Sequence, residues 1–301
     1  MSAFSDKSFN ASNYSKFRPT YPKTFYDALI KYHLEENLKE GAGKLDTLVD
    51  VGCGPGEAFL PLVSRFDRII GTDLSQVMVD QAQVNFDIES KANETSGKGE
   101  FHVASSDDMK SVVNDGEVDI VLAAQCAHWF DRDGWFDEMF RILKPNGTLA
   151  YLGYVDPIFV GYPKANEIYE EMVYVTGNYL GPYWEQPGRS KLRNLLRDLN
   201  DKLLQDDRFY DTKVTYLRPD IEETPSALTI EQTMTLENYF AYGRTWSSSH
   251  KWMQAHPDTP IENQPFTIFY NRLNKAYGWT MDTKVKIAFR TVYTFARRIP
   301  K

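Results

Sequence analysis

The chain has 301 residues, 42% of them hydrophobic and 14% aromatic. That supplies apolar surface for a large core and lined pockets, excludes global disorder, and suits one elaborated α/β domain over residues 1–301 rather than two. With 34 Lys and Arg against 42 Asp and Glu, the formal charge of −8 excludes the broad positive field that holds a nucleic-acid duplex, so an anionic ligand must be met by a local Arg or Lys cluster.

In chain order, residues 1–46 read as an N-terminal arm and helix. Their first residues show no basic segment followed by an apolar stretch, and no later run approaches the ~18 apolar residues of a membrane span. The expectation is a cytoplasmic, monomeric protein with no membrane or nucleic-acid partner. Cys53 and Cys126 lie among apolar or Gly-rich neighbours, which suits a reducing compartment better than a disulfide framework.

From residue 47, short apolar runs alternate with helix-like stretches. Residues 47–51 read as a buried strand, 57–65 as a helix, 68–72 as a second strand, and a helix follows with Ser75 as its N-cap. Residues 89–98 read as an inserted surface loop, 100–104 and 118–124 as strands, and 135–143 as a helix stopped by Lys144-Pro145-Asn146-Gly147. A fifth strand covers 148–154. Residues 155–280, rich in Tyr, Trp, Pro and Arg, read as a less regular substrate lid, and 284–290 restores a period of two in a terminal strand. The alternation predicts an α/β fold, a doubly wound, mostly parallel sheet with a helical lid inserted after the fifth strand.

Asp50-Val51-Gly52-Cys53-Gly54-Pro55-Gly56 lies between a strand and a helix, where glycines let the backbone approach a ligand at a helix N-terminus. Glu57 stands where the last glycine of a dinucleotide fingerprint would fall, which weakens a dehydrogenase reading. Asp73, followed by Leu74, ends the second strand, where a carboxylate can accept both hydroxyls of a ribose. After the third strand, in Ser105-Ser106-Asp107-Asp108-Met109, either Asp107 or Asp108 can receive an adenine amino group while Met109 packs on the ring. Asp50 is placed to balance an ammonium group. A ligand with adenine, ribose and an amino acid is S-adenosylmethionine, and no metal is called for.

On these motifs, residues 47–154 resemble the class I S-adenosylmethionine-dependent methyltransferases, which implies a Rossmann-like fold. The resemblance implies that Asp50, Gly52, Cys53, Gly54 and Gly56 hold the methionine part of the cofactor. It also implies that Asp73 and Leu74 hold the ribose, Ser106, Asp107 and Met109 the adenine, and Gln125 and Cys126 the wall after the fourth strand. Tyr14-Ser15-Lys16-Phe17-Arg18-Pro19-Thr20-Tyr21-Pro22 resembles an N-terminal Tyr-x-x-x-Arg-Pro-x-Tyr-Pro element of one subgroup, which implies an arm over the pocket. There Tyr14 and Arg18 would hold a carboxylate of cofactor or substrate. The Gln125–Phe130 loop borders the transferred methyl in that family, so His128 can serve as base or hydrogen-bond donor and Trp129 can line the sulfonium site. A packed core role for His128 is an equal alternative.

A carboxylate acceptor is already ionised at neutral pH and needs no base, whereas a hydroxyl or ammonium acceptor does. The chain offers few convincing bases and many arginines. Tyr183, Trp184 and Arg189 in one stretch, and Arg244 and Trp246 in another, can form a lid for a small polyanion; Arg193 and Arg197 read alternatively as a solvated helix face. These stretches, above all Gly181-Pro182-Tyr183-Trp184-Glu185-Gln186-Pro187-Gly188-Arg189, are similar to the fungal trans-aconitate methyltransferases over most of the chain. That implies a monomethyl ester of trans-aconitate; the expectation drawn here is that trans-aconitate or a close polycarboxylate is anchored by Arg18, Arg189 and Arg244, with Tyr183 and Trp246 shaping the pocket. Residues 86–100 and 219–233 match nothing in that family. The rivals are the same fold acting on a drug-like or lipid acid, and a non-catalytic cofactor-binding module.

Overall fold

The computed structural model describes residues 19–37, 45–175, 177, 179–221 and 226–300. Tyr14 and Arg18 lie outside the described residues. The chain runs α1 (Lys23–Asn37), β1 (Leu45–Val51), a 3-10 turn (Leu60–Arg65), β2 (Phe66–Asp73), α2 (Gln76–Ala92), β3 (Lys98–Val103), β4 (Val118–Ala124), α3 (Arg132–Ile142) and β5 (Leu143–Phe159). There follow α4 (Pro163–Glu170), α5 (Gly188–Arg193), α6 (Arg197–Leu204), β6 (Phe209–Leu217), β7 (Glu231–Thr235), α7 (Leu236–Arg244), α8 (Ser247–Ala255), α9 (Pro265–Tyr277) and β8 (Lys284–Arg298).

The sheet order is β3-β2-β1-β4-β5-β8-β6, with β7 also paired to β8. The five strands from β3 to β5 are parallel, and β8 is antiparallel to β5, β6 and β7. Strand order reverses between β1 and β4, and a crevice outside the carboxyl ends of the strands at such a reversal is where doubly wound sheets bind ligands. Burial follows from the period of two. On one face Leu48, Ile120 and Leu122 pack with Phe25, Leu29 and Phe59. On the other, Val49, Val51, Val121 and Ala123 pack with Trp135, Phe136 and Met139. Both faces are covered, so β1 and β4 read as continuous apolar runs rather than as alternation.

Several local expectations change. The helix expected at 57–65 is a shorter 3-10 turn over Leu60–Arg65, opened by Pro61 in its first turn, where the missing amide costs nothing. Ser75 stands at the N-cap of α2, but its side chain makes no capping bond; its backbone amide is taken by Asp73 Oδ1 at 2.9 Å. The loop expected at 89–98 is shorter than expected, since α2 continues to Ala92 before Asn93 closes it and β3 begins at Lys98. A solvent-facing final turn needs no large apolar residue, and so carries no apolar signal. Leu143 already pairs with Val118 at the end of α3. The stretch after β5, for which no strand was expected, supplies β6 and β7 to the far side of the sheet. Both cysteines are free thiols, and among the described residues no helix is long and apolar enough to cross a membrane.

Candidate cofactor crevice and acceptor cavity

The β1 loop is built by positive backbone angles that only glycine adopts cheaply. Gly52 has φ +67° and Gly54 φ +53°, both in the left-handed region. A Cβ at Gly52 would stand 2.9 Å from Cys126 Cβ and Sγ, whereas one at Gly54 would meet nothing within 4 Å. Gly52 is thus a packing glycine beneath the β4 loop, and Gly54 faces open space. The amide of Gly54 donates to Asp73 Oδ2 at 3.0 Å, which ties the β1 loop to the end of β2. Leu74, next in sequence, is one of the most exposed apolar side chains in the protein.

Asp50 is fully buried, and neither carboxylate oxygen has a hydrogen-bond partner among the described residues. Burial, and then the neighbouring charge of Asp73, pushes its carboxyl well above the ordinary range. An unpartnered carboxylate beside a second acid is the arrangement a cationic group would stabilise. The residues therefore fit S-adenosylmethionine at three points. Asp50 would balance the ammonium, the open side of Gly54 would let the backbone approach, and Asp73, with two lone-pair sites used by Gly54 and Ser75, retains acceptor capacity for a ribose.

The other expected cofactor residues divide. Asp107 and Asp108 are exposed, and Asp107 accepts a bond from the Ser105 hydroxyl while packing against Gly134 at the start of α3. Ser106 lies beside them, half-buried. Met109 is corrected: its side chain is fully buried in the second core cluster, with the Thr72 hydroxyl against its sulfur at 3.7 Å, so it supports the crevice from beneath rather than covering a ring. Gln125 also differs from expectation. Its amide brackets the backbone of Tyr154, donating to the carbonyl at 2.9 Å and accepting the amide at 2.8 Å, so both ends are committed to joining β4 and β5. The thiols of Cys53 and Cys126 point to the carbonyls of Gly54 at 3.4 Å and Val51 at 3.0 Å, holding the loop rather than facing out of it. Gly56 sits against the Phe59 ring.

Beyond the β4 loop lies a cavity of about 90 Å³ lined by Gln125, His128, Trp129, Tyr154, Asp156, Trp184, Glu185, Arg189, Tyr242 and Trp246, among others. The two aromatic stretches of the lid meet here, with Trp184 and Trp246 ring centroids 5.9 Å apart. Trp129 closes the near side, its ring lying where a Cβ on Gly188 would be. The Arg189 guanidinium stacks 3.9 Å over the Trp184 ring. Its Nε donates to the Tyr174 hydroxyl at 2.8 Å and its Nη2 reaches Asp156 at 3.4 Å. Two expected acceptor residues are not in this cavity. Arg244, in the last turn of α7, is exposed, over the Phe266 ring at 5.8 Å. Tyr183 packs against His256 at 5.8 Å.

His128 is buried with Nδ1 unpartnered. Burial, and then the positive charges of Arg189 and Lys191, hold its pKa down at about 3. The imidazole is therefore neutral at physiological pH, able to donate or accept one hydrogen bond but a poor proton acceptor. The unfolded chain binds a proton near the ordinary pKa of ~6.5 that folded His128 refuses. Its contribution to stability is thus present above that pH and is lost as pH falls toward 3; a His128→Asn variant should show a shallower acid limb in melting temperature between pH 6.5 and 4.

Asp156, with Tyr174, Arg193 and Arg290, forms a buried ion cluster behind Arg189. The local signal is an acid flanked by Val155 and Pro157 in an apolar strand, yet its partners lie 13 to 134 positions away.

Residues 49–151 match the family model described as a methyltransferase domain. A probable S-adenosylmethionine-dependent methyltransferase of Saccharomyces cerevisiae is 28% identical over 98% of each chain. A methyltransferase of Claviceps purpurea is 30% identical over 63% of this chain and 50% of its own. Among solved structures, one titled a "Putative Type II Methyltransferase" from Anaeromyxobacter dehalogenans superposes with a TM-score of 0.62 at 21% identity, covering 95% of this chain and all of that one. The fold is the class I methyltransferase fold. S-adenosylmethionine, the cofactor in the name of the Saccharomyces relative, is the one that the crevice described above fits.

Proposed function

We propose that the protein is a carboxyl O-methyltransferase that makes the monomethyl ester of trans-aconitate or a close polycarboxylate. The observation that carries this is the pairing in one cavity of a guanidinium, Arg189, with an imidazole, His128, that is too weak a base to deprotonate a hydroxyl or ammonium acceptor. A carboxylate needs only to be held and desolvated. Bound in the crevice, S-adenosylmethionine supplies an electrophilic methyl group. Arg189 holds the acceptor's charge, Trp129, Trp184 and Trp246 exclude water around it, and neutral His128 donates a hydrogen bond near the reacting oxygen. Asp50, Gly54, Asp73 and Leu74 hold the cofactor, with Asp107 or Asp108 at the adenine. The cytoplasm is the proposed setting, on the cysteine usage read above.

The aromatic wall favours a second reading, a single-carboxylate acid with an apolar body. Incubation with S-adenosylmethionine and a panel of trans-aconitate, cis-aconitate, citrate, isocitrate and a hydrophobic monoacid, read by mass spectrometry, decides between them. One added methyl on trans-aconitate supports the proposal, and a gain on the monoacid alone replaces it. No gain on any member removes both.

Two further expectations follow from the cavity. Arg189→Ala should raise the acceptor KM about 30- to 100-fold, the ~2–3 kcal/mol of a charged hydrogen-bonded contact, with S-adenosylmethionine affinity nearly unchanged. Arg244→Ala should leave both within about twofold, and an equal loss in the two variants would put Arg244 in the site after all. The reaction rate at saturating substrates should be flat from about pH 6 to 9, as both the neutral imidazole and an ionised carboxylate require. A sigmoid profile centred near 7 would return His128 to the role of base.

A further inference from the structure

We propose that Asp156 is a positioning residue that fixes the Arg189 guanidinium at the acceptor cavity, an inference resting on the carboxylate-acceptor reading above. In the pairing of β5 with β8, Val155 lies opposite Arg290 and Pro157 opposite Phe289, so Asp156 is the extra residue of a β-bulge. Its φ is +51°. A bulge of this kind re-aims one side chain out of the regular alternation, and here it turns a carboxylate into the lid. That side chain is buried and receives five donors. Tyr174 and Tyr169 hydroxyls reach Oδ1 at 2.6 and 3.2 Å, Arg189 reaches the same oxygen at 3.4 Å, and Arg193 and Arg290 reach Oδ2 at 3.1 and 3.3 Å.

The three arginines are not equivalent. Arg193 has a second acid in Glu170 at 2.8 Å and Arg290 has one in Asp220 at 2.9 Å, whereas Arg189 pairs only with Asp156 among the described residues. Arg189 is also the only one of the three that lines the cavity. Asp156 and the Tyr174 hydroxyl grip its Nε and Nη2 from behind, while no described residue takes Nη1. A planar fork held at one edge presents its remaining donors in a fixed direction, so less rotamer freedom is lost when an anion binds.

The charge of Asp156 by itself would weaken anion binding, and that opposition makes the idea testable. Asp156→Asn removes the charge while keeping an acceptor oxygen for Tyr174. If positioning governs, the acceptor KM rises about tenfold or more, with kcat at saturation and the dissociation constant for S-adenosylmethionine within about twofold. If Asp156 only tempers the local field, KM falls, which overturns the proposal. Tyr174→Phe leaves every charge in place and loses only the shared hydroxyl; it should raise KM about three- to fivefold, and it serves should Asp156→Asn not fold. The Arg189 Nε–H signal, assigned by its loss in Arg189→Lys and followed by ¹⁵N-detected NMR, should be ordered and exchange-protected in the unaltered protein and lose that protection in both variants. An unchanged signal, or unchanged KM in both, also overturns the proposal. The NMR measurement needs no acceptor, so an empty result from the panel of acids would count against the function and leave the positioning role decided on its own terms.

Discussion

Asparagine in place of Asp50 should raise the melting temperature of the ligand-free protein and, in the same molecule, weaken S-adenosylmethionine binding about a hundredfold. The two effects have one cause. Asp50 is fully enclosed at the end of β1 with both oxygens unpartnered, and such a group either stays charged at a desolvation cost or takes up a proton against its ordinary pKa. The amide avoids that cost, on the order of 1–3 kcal/mol and a few degrees in Tm. It also removes the counter-charge of the cofactor's ammonium, about 2.7 kcal/mol for a hundredfold change. The difference in stability should depend on pH with a defined sign. The folded-state pKa of Asp50 is raised by burial and then by Asp73, so its stabilising protonation is complete below the ordinary carboxyl value of ~3.9 and is lost as pH rises toward the folded value. The advantage of the variant therefore grows with pH through that window. Calorimetry of the free protein and a cofactor titration check both halves, and a lowered Tm with unchanged affinity would remove Asp50 from the site.

Alanine at Gly52 and at Gly54 should both abolish measurable cofactor binding, with very different costs to the fold. At Gly52 the new Cβ stands 2.9 Å from Cys126 Cβ and Sγ, and Cys126 cannot withdraw without giving up its bond to the Val51 carbonyl at 3.0 Å. Adding the strain of a left-handed alanine at φ +67°, the loss is about 2–4 kcal/mol, and the loops after β1 and β4 separate. At Gly54 there is no clash within 4 Å, so the fold loses only the backbone term, about 1–2 kcal/mol. The methyl there enters the space the cofactor backbone contact requires. Equal melting temperatures for the two variants would show that the β4 loop yields freely and that Gly52 is no more than a turn.

How much of this was legible in the sequence can be followed residue by residue. The places of Asp50, Gly52, Gly54 and Asp73 at the strand ends are legible because a parallel strand buried on both faces announces itself as an apolar run. The residues just past its end then fall at the crevice of any doubly wound sheet. Met109 and Gln125 lie in the same loops, yet Met109 packs into the core and Gln125 is tied to the Tyr154 backbone. Proximity in sequence places a residue near the crevice, whereas the direction of its side chain depends on what packs beneath it. Arg189 and Arg244 had equal standing as basic residues among aromatics. Tertiary packing separates them: Arg244, at the end of α7, is exposed over Phe266, whereas Arg189, in α5, stacks on Trp184.

The sequence by itself determined the parallel core, the order of the glycine loop and the acids at the ends of β1 and β2 and after β3, and the presence of two aromatic, arginine-bearing lid segments. These rest on local periodicity and on residues a few positions apart. Only the tertiary structure decided which arginine faces the cavity, that His128 is buried and neutral, and that Asp156 gathers Arg189, Arg193 and Arg290 from α5 and β8. The physical reason is that burial and ion pairing depend on contacts between segments distant in the chain, which strand order and a single bulge in β5 bring together, and local pattern carries no record of those pairings.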